Sequence, residues 1–318
     1  MKKRIYFNEV VTRDGFQMEP AFVPTDDKVA LINALSACGY GKIEVTSFVS
    51  PKAIPMLRDA DEVMGRIQRV SGVEYTVLVP NMRGAERAFE ARADELNLVM
   101  SMSQSHNQAN LRMTMEQSFA ALSDIIKRAK GLAAVNISLS CAFGCPMEGD
   151  VPEAVVLEHA QRFADVGVRG VTVCDTTGMA HPAQVKRMAE LLQQRFEPLQ
   201  LTLHFHNTRG MGLANVLAAA QSGITRFDGS LGGLGGCPYA PGASGNVCSE
   251  DAIHMLDAMG YDTGMDVDKL LELARQLPQI VGHTGPGQVA KAGRITELHP
   301  APVAVADVVT PSPARGRG

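Results

Sequence analysis

The sequence predicts an α/β protein that folds as a TIM barrel, a closed (β/α)8 barrel of eight parallel strands. Eight short β-branched or apolar runs recur roughly every 32 residues, a spacing that holds a strand, a helix and two short loops. Amphipathic stretches with helix-start and helix-stop signals lie between these runs. Strictly alternating strands and helices form parallel sheets, and eight such units favour closure into a barrel. An open doubly wound sheet is the alternative.

The predicted strands share β-branched and apolar residues and are separated by turn-forming residues. They cover residues 5–11, 42–48, 75–79, 96–101, 133–140, 170–174, 199–206 and 226–231.

The predicted helices lie between these strands. Pro24-Thr-Asp-Asp opens a segment that ends at Gly39, and Thr114-Met-Glu-Gln has the pattern of a capping box and opens a segment that ends at Gly131. The others cover residues 59–70, 84–95, 152–166, 182–196, 213–222 and 249–259.

A further helical stretch at residues 267–276 is expected to pack on the outside or at the mouth of the barrel. We expect one folded domain over residues 1–300. Residues 301–318 contain three prolines and end in ARGRG without apolar periodicity, which predicts a disordered tail.

Composition narrows the possible partners and the compartment. The 318 residues are 45% hydrophobic and 20% charged, and the net charge of −4 comes with scattered Lys and Arg, which argues against nucleic-acid binding. No apolar run approaches the roughly 18 residues of a membrane helix, and the opening MKKRIY does not lead into a signal peptide. We therefore expect a cytoplasmic protein with no membrane partner, whose six sparse cysteines are reduced and mostly buried.

The seventh strand carries the clearest chemical signal. Apolar and polar residues alternate through residues 199–206, so His204 and His206 share one face, which we expect to point into the barrel. Two imidazoles at positions i and i+2 are suited to bind one metal ion. A hydrogen-bonded core pair is the alternative reading.

Two oxygen donors can reach the same point. Asp14 follows strand 1, which lies two strands from strand 7 in a closed barrel, and Asn246 follows strand 8. A set of carboxylate, amide and imidazole groups without a thiolate suits Mg²⁺ or Mn²⁺ better than structural zinc.

The glycine-rich run at residues 229–237 does not fit a dinucleotide loop, because it comes late in the chain with no acidic ribose ligand after it. A mobile loop that carries Cys237 over the barrel mouth fits better, although an isolated cysteine can also be inert. Asp175, after strand 6, is either a site residue or a helix cap.

Two further groups of residues are predicted to have structural roles. Ser103, Ser105 and His106 follow strand 4 and are predicted to form a polar loop. Cys141 and Cys145 are expected to be packing residues rather than metal ligands.

Three motifs together resemble a known family. RDGFQME at residues 13–19 is similar to RDGLQNE, SLGGLGGCPY at residues 230–239 is similar to SVAGLGGCPY, and GASGN at residues 242–246 is the same. These are motifs of the 3-hydroxy-3-methylglutaryl-CoA (HMG-CoA) lyases of the DRE-TIM metallolyase superfamily. The resemblance runs from about residue 7 to about residue 259.

The resemblance implies a carbon–carbon lyase that uses Mg²⁺ or Mn²⁺ to cleave HMG-CoA into acetoacetate and acetyl-CoA. It also implies an acyl-CoA substrate, a homo-oligomer that is a dimer or larger, and a place in leucine degradation and ketone-body metabolism. The implied metal ligands are Asp14, His204, His206 and Asn246, and the implied catalytic residues include Arg13, Glu44 and Cys237.

The implied chemistry agrees with these residue types. A retro-Claisen cleavage deprotonates a tertiary hydroxyl and stabilises a thioester enolate, for which the permanent charge of Arg13 is suited. Cys237 would protonate the enolate carbon. The base is left open among Asp14, His204 and a water ordered by Glu44.

Departures from the motifs bear on the substrate. Phe16 and Met18 replace Leu and Asn, residues 231–232 are Leu-Gly in place of Val-Ala, and HFHNTRG at residues 204–210 replaces HCHDTYG. We expect Asn207 and Arg209 to influence which acyl group is accepted. The alternative substrates are therefore citramalyl-CoA or a longer branched 3-hydroxyglutaryl-CoA, while a condensing synthase and a non-catalytic barrel are disfavoured by the cysteine loop and the intact site residues.

Overall fold

The computed structural model describes residues 2–236, 245–298 and 300, and within them the eight predicted strands form one sheet. The strands are β1 (Tyr6–Glu9), β2 (Lys42–Ser47), β3 (Glu74–Leu78), β4 (Glu95–Ser101), β5 (Ala134–Ser140), β6 (Gly170–Asp175), β7 (Gln200–Phe205) and β8 (Arg226–Gly229). Each strand pairs in parallel with the next, and β8 pairs in parallel with β1. The closed barrel is confirmed, and the open doubly wound sheet is excluded.

Helices form the outer layer of the barrel. Within the described ranges they are α1 (Thr25–Ser36), α2 (Ala60–Arg66), α3 (Met82–Glu90), α4 (Gln104–Leu111), α5 (Met115–Ala129), α6 (Glu153–Val166), α7 (Pro182–Arg195), α8 (Gly212–Gln221), α9 (Ser249–Ala258), α10 (Val267–Val281) and α11 (Val289–Ala292). The predicted C-terminal helical stretch is α10, which lies against α1 and α9 on the outside of the barrel. The predicted tail, residues 301–318, lies outside the described residues.

The capping box predicted for α5 is present. The Thr114 hydroxyl accepts a hydrogen bond from the Gln117 backbone N–H, and the Gln117 side chain accepts one from the Thr114 backbone N–H. These two bonds satisfy donors that the first helical turn leaves unpaired. The sequence signal therefore located this helix start to the residue.

The prediction of a polar loop after strand 4 was wrong, because this segment forms α4. The Ser103 hydroxyl accepts a hydrogen bond from the His106 N–H and so caps the helix. Residues 104–110 are polar or small, so the helix has no apolar stripe that the sequence could reveal. Its C-terminal half lines the cavity described below.

Strand alternation separates an apolar outer face from a polar interior. Asn97 occupies the interior, where its Oδ1 accepts hydrogen bonds from Asn136 Nδ2 at 3.0 Å and from Ser138 Oγ at 2.8 Å. Asn136 Nδ2 also donates to Thr172 Oγ1 at 2.9 Å. The interior is thus filled by polar groups that satisfy one another below the level of the strand ends.

A charged network closes the N-terminal end of the barrel. Lys42 and Arg169 both form ion pairs with Glu74 and Glu95, at the first residues of β2, β3 and β4 and just before β6. Two cations and two carboxylates balance one another there. The active sites of such barrels lie at the opposite, C-terminal end.

A π-helical turn, Val11–Gly15, follows β1 directly. The Val10 carbonyl accepts hydrogen bonds from the N–H groups of Arg13, Asp14 and Gly15. Such turns are rare and concentrate at functional sites. This one brings two charged side chains over the barrel mouth immediately after a strand of four residues.

None of the helices in the described residues is long and apolar enough to cross a membrane.

Candidate active site

A cavity of about 770 Å³ lies at the C-terminal end of the barrel. The residues around it come from the π-helical turn, the strand ends, α4 and the segments after β2 and β8. Its polar lining includes Arg13, Asp14, Asn97, His106, Ser138, His204, His206 and Asp228. The sequence placed the chemistry at this end, and the structure brings most of the predicted side chains into one cavity.

Asp14, His204 and His206 converge as predicted. All three are buried, and each offers a ligand atom within 4.8 Å of the others. The fourth predicted ligand joins them, because Asn246 Nδ2 donates to Asp14 Oδ2 at 2.7 Å. A bridge between residues 206 and 246 brings their backbones together as well.

The donor atoms of this quartet (Asp14, His204, His206 and Asn246) fit a divalent cation. Within the described residues, nothing hydrogen-bonds to the buried Asn246 Oδ1 or to the buried His206 Nδ1. Buried polar atoms without partners are uncommon and call for a ligand. Gly235 packs directly against this quartet, because a Cβ there would lie 2.4 Å from Asn246 Nδ2 and 3.2 Å from Asp14 Oδ2.

Arg13 lies between two carboxylates. Its Nε donates to Glu44 Oε2 at 2.5 Å and its Nη1 to Asp14 Oδ1 at 2.5 Å. Glu44 is fixed on its other side by Asn97 Nδ2, at 2.7 Å from Glu44 Oε1. The guanidinium is therefore held in one orientation at the edge of the cavity.

Burial and charge compete at these acids. Burial raises the pKa of Glu44 despite the adjacent Arg13. Burial also opposes ionisation of Asp14, but the adjacent Arg13 guanidinium and the hydrogen bond from the Asn246 amide outweigh it, so the pKa of Asp14 falls to about 2. Asp14 is consequently ionised at every pH of interest and has the charge that a cation ligand needs.

The two histidines differ in protonation. Burial and the neighbouring His204 lower the pKa of His206 to about 3, so its imidazole is neutral. Burial acts on His204 too, but Asp228 overrides it and raises the pKa of His204. The His204 Nδ1 lies 3.2 Å from Asp228 Oδ2, which leaves Nε2 as the nitrogen directed away from that carboxylate.

Asp228 and Asn97 are site residues that the sequence interpretation missed. Asp228 pairs in register with His204 across β7 and β8, and Asn8 Nδ2 holds its other oxygen at 2.8 Å. Asn97 reaches Glu44 from β4. Both are polar residues inside predicted strands, and this was the signal that the sequence carried for them. Their partners, however, depend on the register between strands, which a single sequence does not reveal.

Asp175, Asn207 and Arg209 support loops. The Asp175 carboxylate accepts hydrogen bonds from the N–H groups of residues 179 and 180, and burial raises its pKa to about 6. Asn207 Oδ1 accepts one from Gly212 N at the start of α8. Arg209 donates to the carbonyls of residues 177 and 178 and is not among the described residues that line the cavity. The expected influence of positions 207 and 209 on the acyl group has no direct contact to support it.

The cysteine predictions divide in two. Five cysteines are free and buried, as expected, and Cys145 accepts a hydrogen bond from the Ser103 hydroxyl. Cys237 lies outside the described residues. The chain on either side of it is placed, because Gly236 lines the cavity and the Gly245 carbonyl accepts a hydrogen bond from Asn207 N.

Comparisons with known proteins point in one direction. A family model described as HMGL-like matches residues 4–277. The chain is 44% identical to hydroxymethylglutaryl-CoA lyase YngG of Bacillus subtilis over 90% of this chain and 96% of that protein. It is 40% identical to the human cytoplasmic 3-hydroxy-3-methylglutaryl-CoA lyase over 89% of this chain and 77% of that protein.

Solved structures agree with these relatives. An HMG-CoA lyase from Acinetobacter baumannii, in complex with coenzyme A and 3-methylmalate, is 52% identical with a TM-score of 0.91, over 94% of this chain and 98% of that chain. The Bacillus subtilis HMG-CoA lyase is 44% identical with a TM-score of 0.88, over 91% and 98% of the two chains.

The opposite pKa shifts of His204 and His206 lead to a testable prediction for the metal-free protein. We expect His204 to titrate above the ordinary pKa, because Asp228 stabilises its protonated form, and His206 to stay neutral down to about pH 3. In Asp228→Asn the His204 midpoint should move to lower pH. Imidazole ¹H–¹⁵N NMR titration measures the midpoints of both histidines. A His206 midpoint near 6.5 would contradict the expected electrostatics.

Proposed function

This chain belongs to the HMGL-like family, and on that premise we propose that it cleaves HMG-CoA into acetoacetate and acetyl-CoA with a divalent cation. The observation that carries the proposal is the convergence of Asp14, His204 and His206 in one cavity beside the buried guanidinium of Arg13. The lyases named above are its relatives over nine-tenths of the chain.

We propose that Asp14, His204, His206 and Asn246 hold Mg²⁺ or Mn²⁺. Two oxygens and two imidazole nitrogens form a donor set that either ion accepts, and octahedral coordination leaves positions for substrate oxygens. When bound, the cation lowers the pKa of the substrate hydroxyl and orients it. The neutral imidazole of His206 and the ionised carboxylate of Asp14 are already in their ligating protonation states.

Arg13 is proposed to stabilise the enolate. As the bond between C2 and C3 of the acyl chain breaks, its electron pair moves toward the thioester oxygen, and C3 becomes the ketone of acetoacetate. A guanidinium already fixed by Asp14 and Glu44 provides positive charge there without reorganising.

Of the three candidate bases, we propose Glu44, acting through a water, over Asp14. The pKa of Asp14 at about 2 makes it a poor proton acceptor, whereas burial raises the pKa of Glu44. His204 presents its Nδ1 to Asp228, so its other nitrogen cannot ligate the cation and accept the substrate proton at once.

Cys237 is proposed to donate the proton that converts the enolate carbon into the methyl group of acetyl-CoA. The thiolate then recovers a proton by way of the group that took the one from the hydroxyl, so the cycle consumes none. The placement of Gly236 at the cavity supports this role. The dimeric or larger assembly, the cytoplasmic location and the place in leucine degradation stay predictions.

A small panel of thioesters tests the function. With Mg²⁺ present, acetyl-CoA release from HMG-CoA should exceed release from citramalyl-CoA and from longer branched 3-hydroxyglutaryl-CoA, because Asn207 and Arg209, which depart from the family motif, are not among the described residues that line the cavity. The ranking is measured as kcat/KM. A preference for either alternative would replace the substrate, and no release from any member would overturn the lyase proposal.

The metal ligands can be tested without turnover. His204→Ala, His206→Ala and Asn246→Ala should each weaken Mn²⁺ binding by more than about 100-fold, beyond the 10–100-fold typical of changes outside the ligand set. Electron paramagnetic resonance of free Mn²⁺ gives the affinity. His254→Ala on α9 is the matched control. Its ring accepts a hydrogen bond from the Ile295 N–H and is not among the described residues that line the cavity. Unchanged affinity in His206→Ala would remove the quartet as the cation site.

Cys237 should be both catalytic and selectively reactive. Cys237→Ser is expected to bind Mn²⁺ normally while kcat falls by about 10² to 10⁴, the range for loss of a positioned acid or base. Iodoacetamide should label Cys237 first in the native protein, because the other five thiols are buried, and substrate should slow the labelling. Cys38→Ala is the control. Near-wild-type turnover of Cys237→Ala would contradict the acid role.

A further inference from the structure

The carboxylate of Glu9, at the end of β1, is fully buried behind the site and does not line the cavity. Five donors converge on its two oxygens. Oε1 accepts the backbone N–H groups of Val10 at 3.0 Å, Val11 at 2.9 Å and Leu231 at 2.9 Å. Oε2 accepts the hydroxyls of Tyr40 at 2.6 Å and Ser249 at 2.8 Å.

These donors belong to the segments that carry the site. Val11 begins the π-helical turn that contains Asp14. Leu231 begins a short 3-10 turn, Leu231–Gly233, in the glycine-rich run that leads toward residue 237. Ser249 is the first residue of α9, three positions after Asn246. One carboxylate therefore holds the chain near two of the four proposed cation ligands.

The same segments meet again above Glu9. Asn246 Nδ2 donates both to Asp14 Oδ2 at 2.7 Å and to the Leu234 carbonyl at 2.9 Å. The β1 side and the β8 side of the site are thus joined at two levels, by Glu9 below and by the Asn246 amide above. A shift of either side at the lower level changes the separation of Asp14 and Asn246.

Backbone hydrogen bonds join these segments only in part, from Val10 N to the Gly229 carbonyl at 3.0 Å and from Ser230 N to the Val247 carbonyl at 3.1 Å. The Leu231 N–H lies where β8 has already ended, and Ser249 contacts the preceding run through its own N–H to the Ser230 carbonyl. Without Glu9, the N–H groups of Val11 and Leu231 would be buried and unpaired, whereas the Val10 N–H also donates to the Gly229 carbonyl at 3.0 Å, so the segments of Val11 and Leu231 would have to move to find partners.

We propose that Glu9 is a positioning residue that sets the separation of Asp14 and Asn246, and through it the affinity for the divalent cation. It also anchors the start of the run that leads to Cys237. The inference rests on the proposed function, because it takes the quartet to be a cation site.

The test uses variants that keep the fold. Glu9→Gln retains one carbonyl oxygen for the three N–H groups and puts an amide in place of the oxygen that faces the two hydroxyls. Ser249→Ala removes one hydroxyl donor. Tyr75→Phe and Ser36→Ala are the controls, because Tyr75 and Ser36 are buried and bond to each other at 3.0 Å outside the site.

Two quantities are measured for each variant, the Mn²⁺ dissociation constant without substrate and the midpoint of thermal unfolding. We expect Glu9→Gln to weaken Mn²⁺ binding by about 10-fold or more and Ser249→Ala to weaken it by a smaller factor. The controls should lose comparable thermal stability while their Mn²⁺ affinity stays within about twofold of the wild type. The iodoacetamide labelling rate of Cys237 should change in Glu9→Gln only.

The outcomes separate the two ideas. Wild-type affinity for Mn²⁺ in both Glu9→Gln and Ser249→Ala overturns the positioning role and leaves the cation site standing. Equal weakening in the control variants also overturns it, because general destabilisation would then explain the loss. A wild-type protein that binds no Mn²⁺ overturns the cation site itself and this inference with it.

Discussion

The ion pairs of Arg13 with Asp14 and Glu44 are the interaction on which the site depends. Burying three charged groups without partners would be costly, so each fixes the position of the others. Asp228 adds a third carboxylate near the same guanidinium. When all three acids are ionised, one Arg leaves two negative charges, which is the charge that one divalent cation balances. In the metal-free protein, Asp228 raises the pKa of His204 and so favours a proton on that imidazole.

The barrel supplies rigid positions for these charges, and each position has a local cause. Strand register aligns His204 with Asp228, and the polar interior holds Glu44 through Asn97. The π-helical turn places Asp14 five residues after Glu9 without a long loop. Short connections from strand ends give smaller positional uncertainty than loops do, which suits a site that must hold ligand atoms to a fraction of an ångström.

How much the sequence revealed depends on the range of each signal. Alternation within one strand was enough to pair His204 with His206, and periodicity found all eight strands to within a few residues. The contribution of Asp228 required the register of two strands, and α4 lacked an apolar stripe. For Arg209 the sequence suggested a role at the substrate, but its side chain bonds to backbone carbonyls instead. An unusual residue type in a motif carries no information about the direction of its side chain. Long-range register and side-chain direction exist only in the fold.

The glycine-rich run after β8 shows how the fold changes the meaning of a composition. The sequence suggested glycines that let a loop swing. In the structure, a Cβ at Gly233 would lie 2.6 Å from Cys248 Sγ, and one at Gly245 would lie 2.2 Å from the Gly233 carbonyl. Both residues, like Gly235, also have φ values in the left-handed region. These glycines are therefore required by close packing beside the quartet. The described chain on both sides of residues 237–244 is thus held in place.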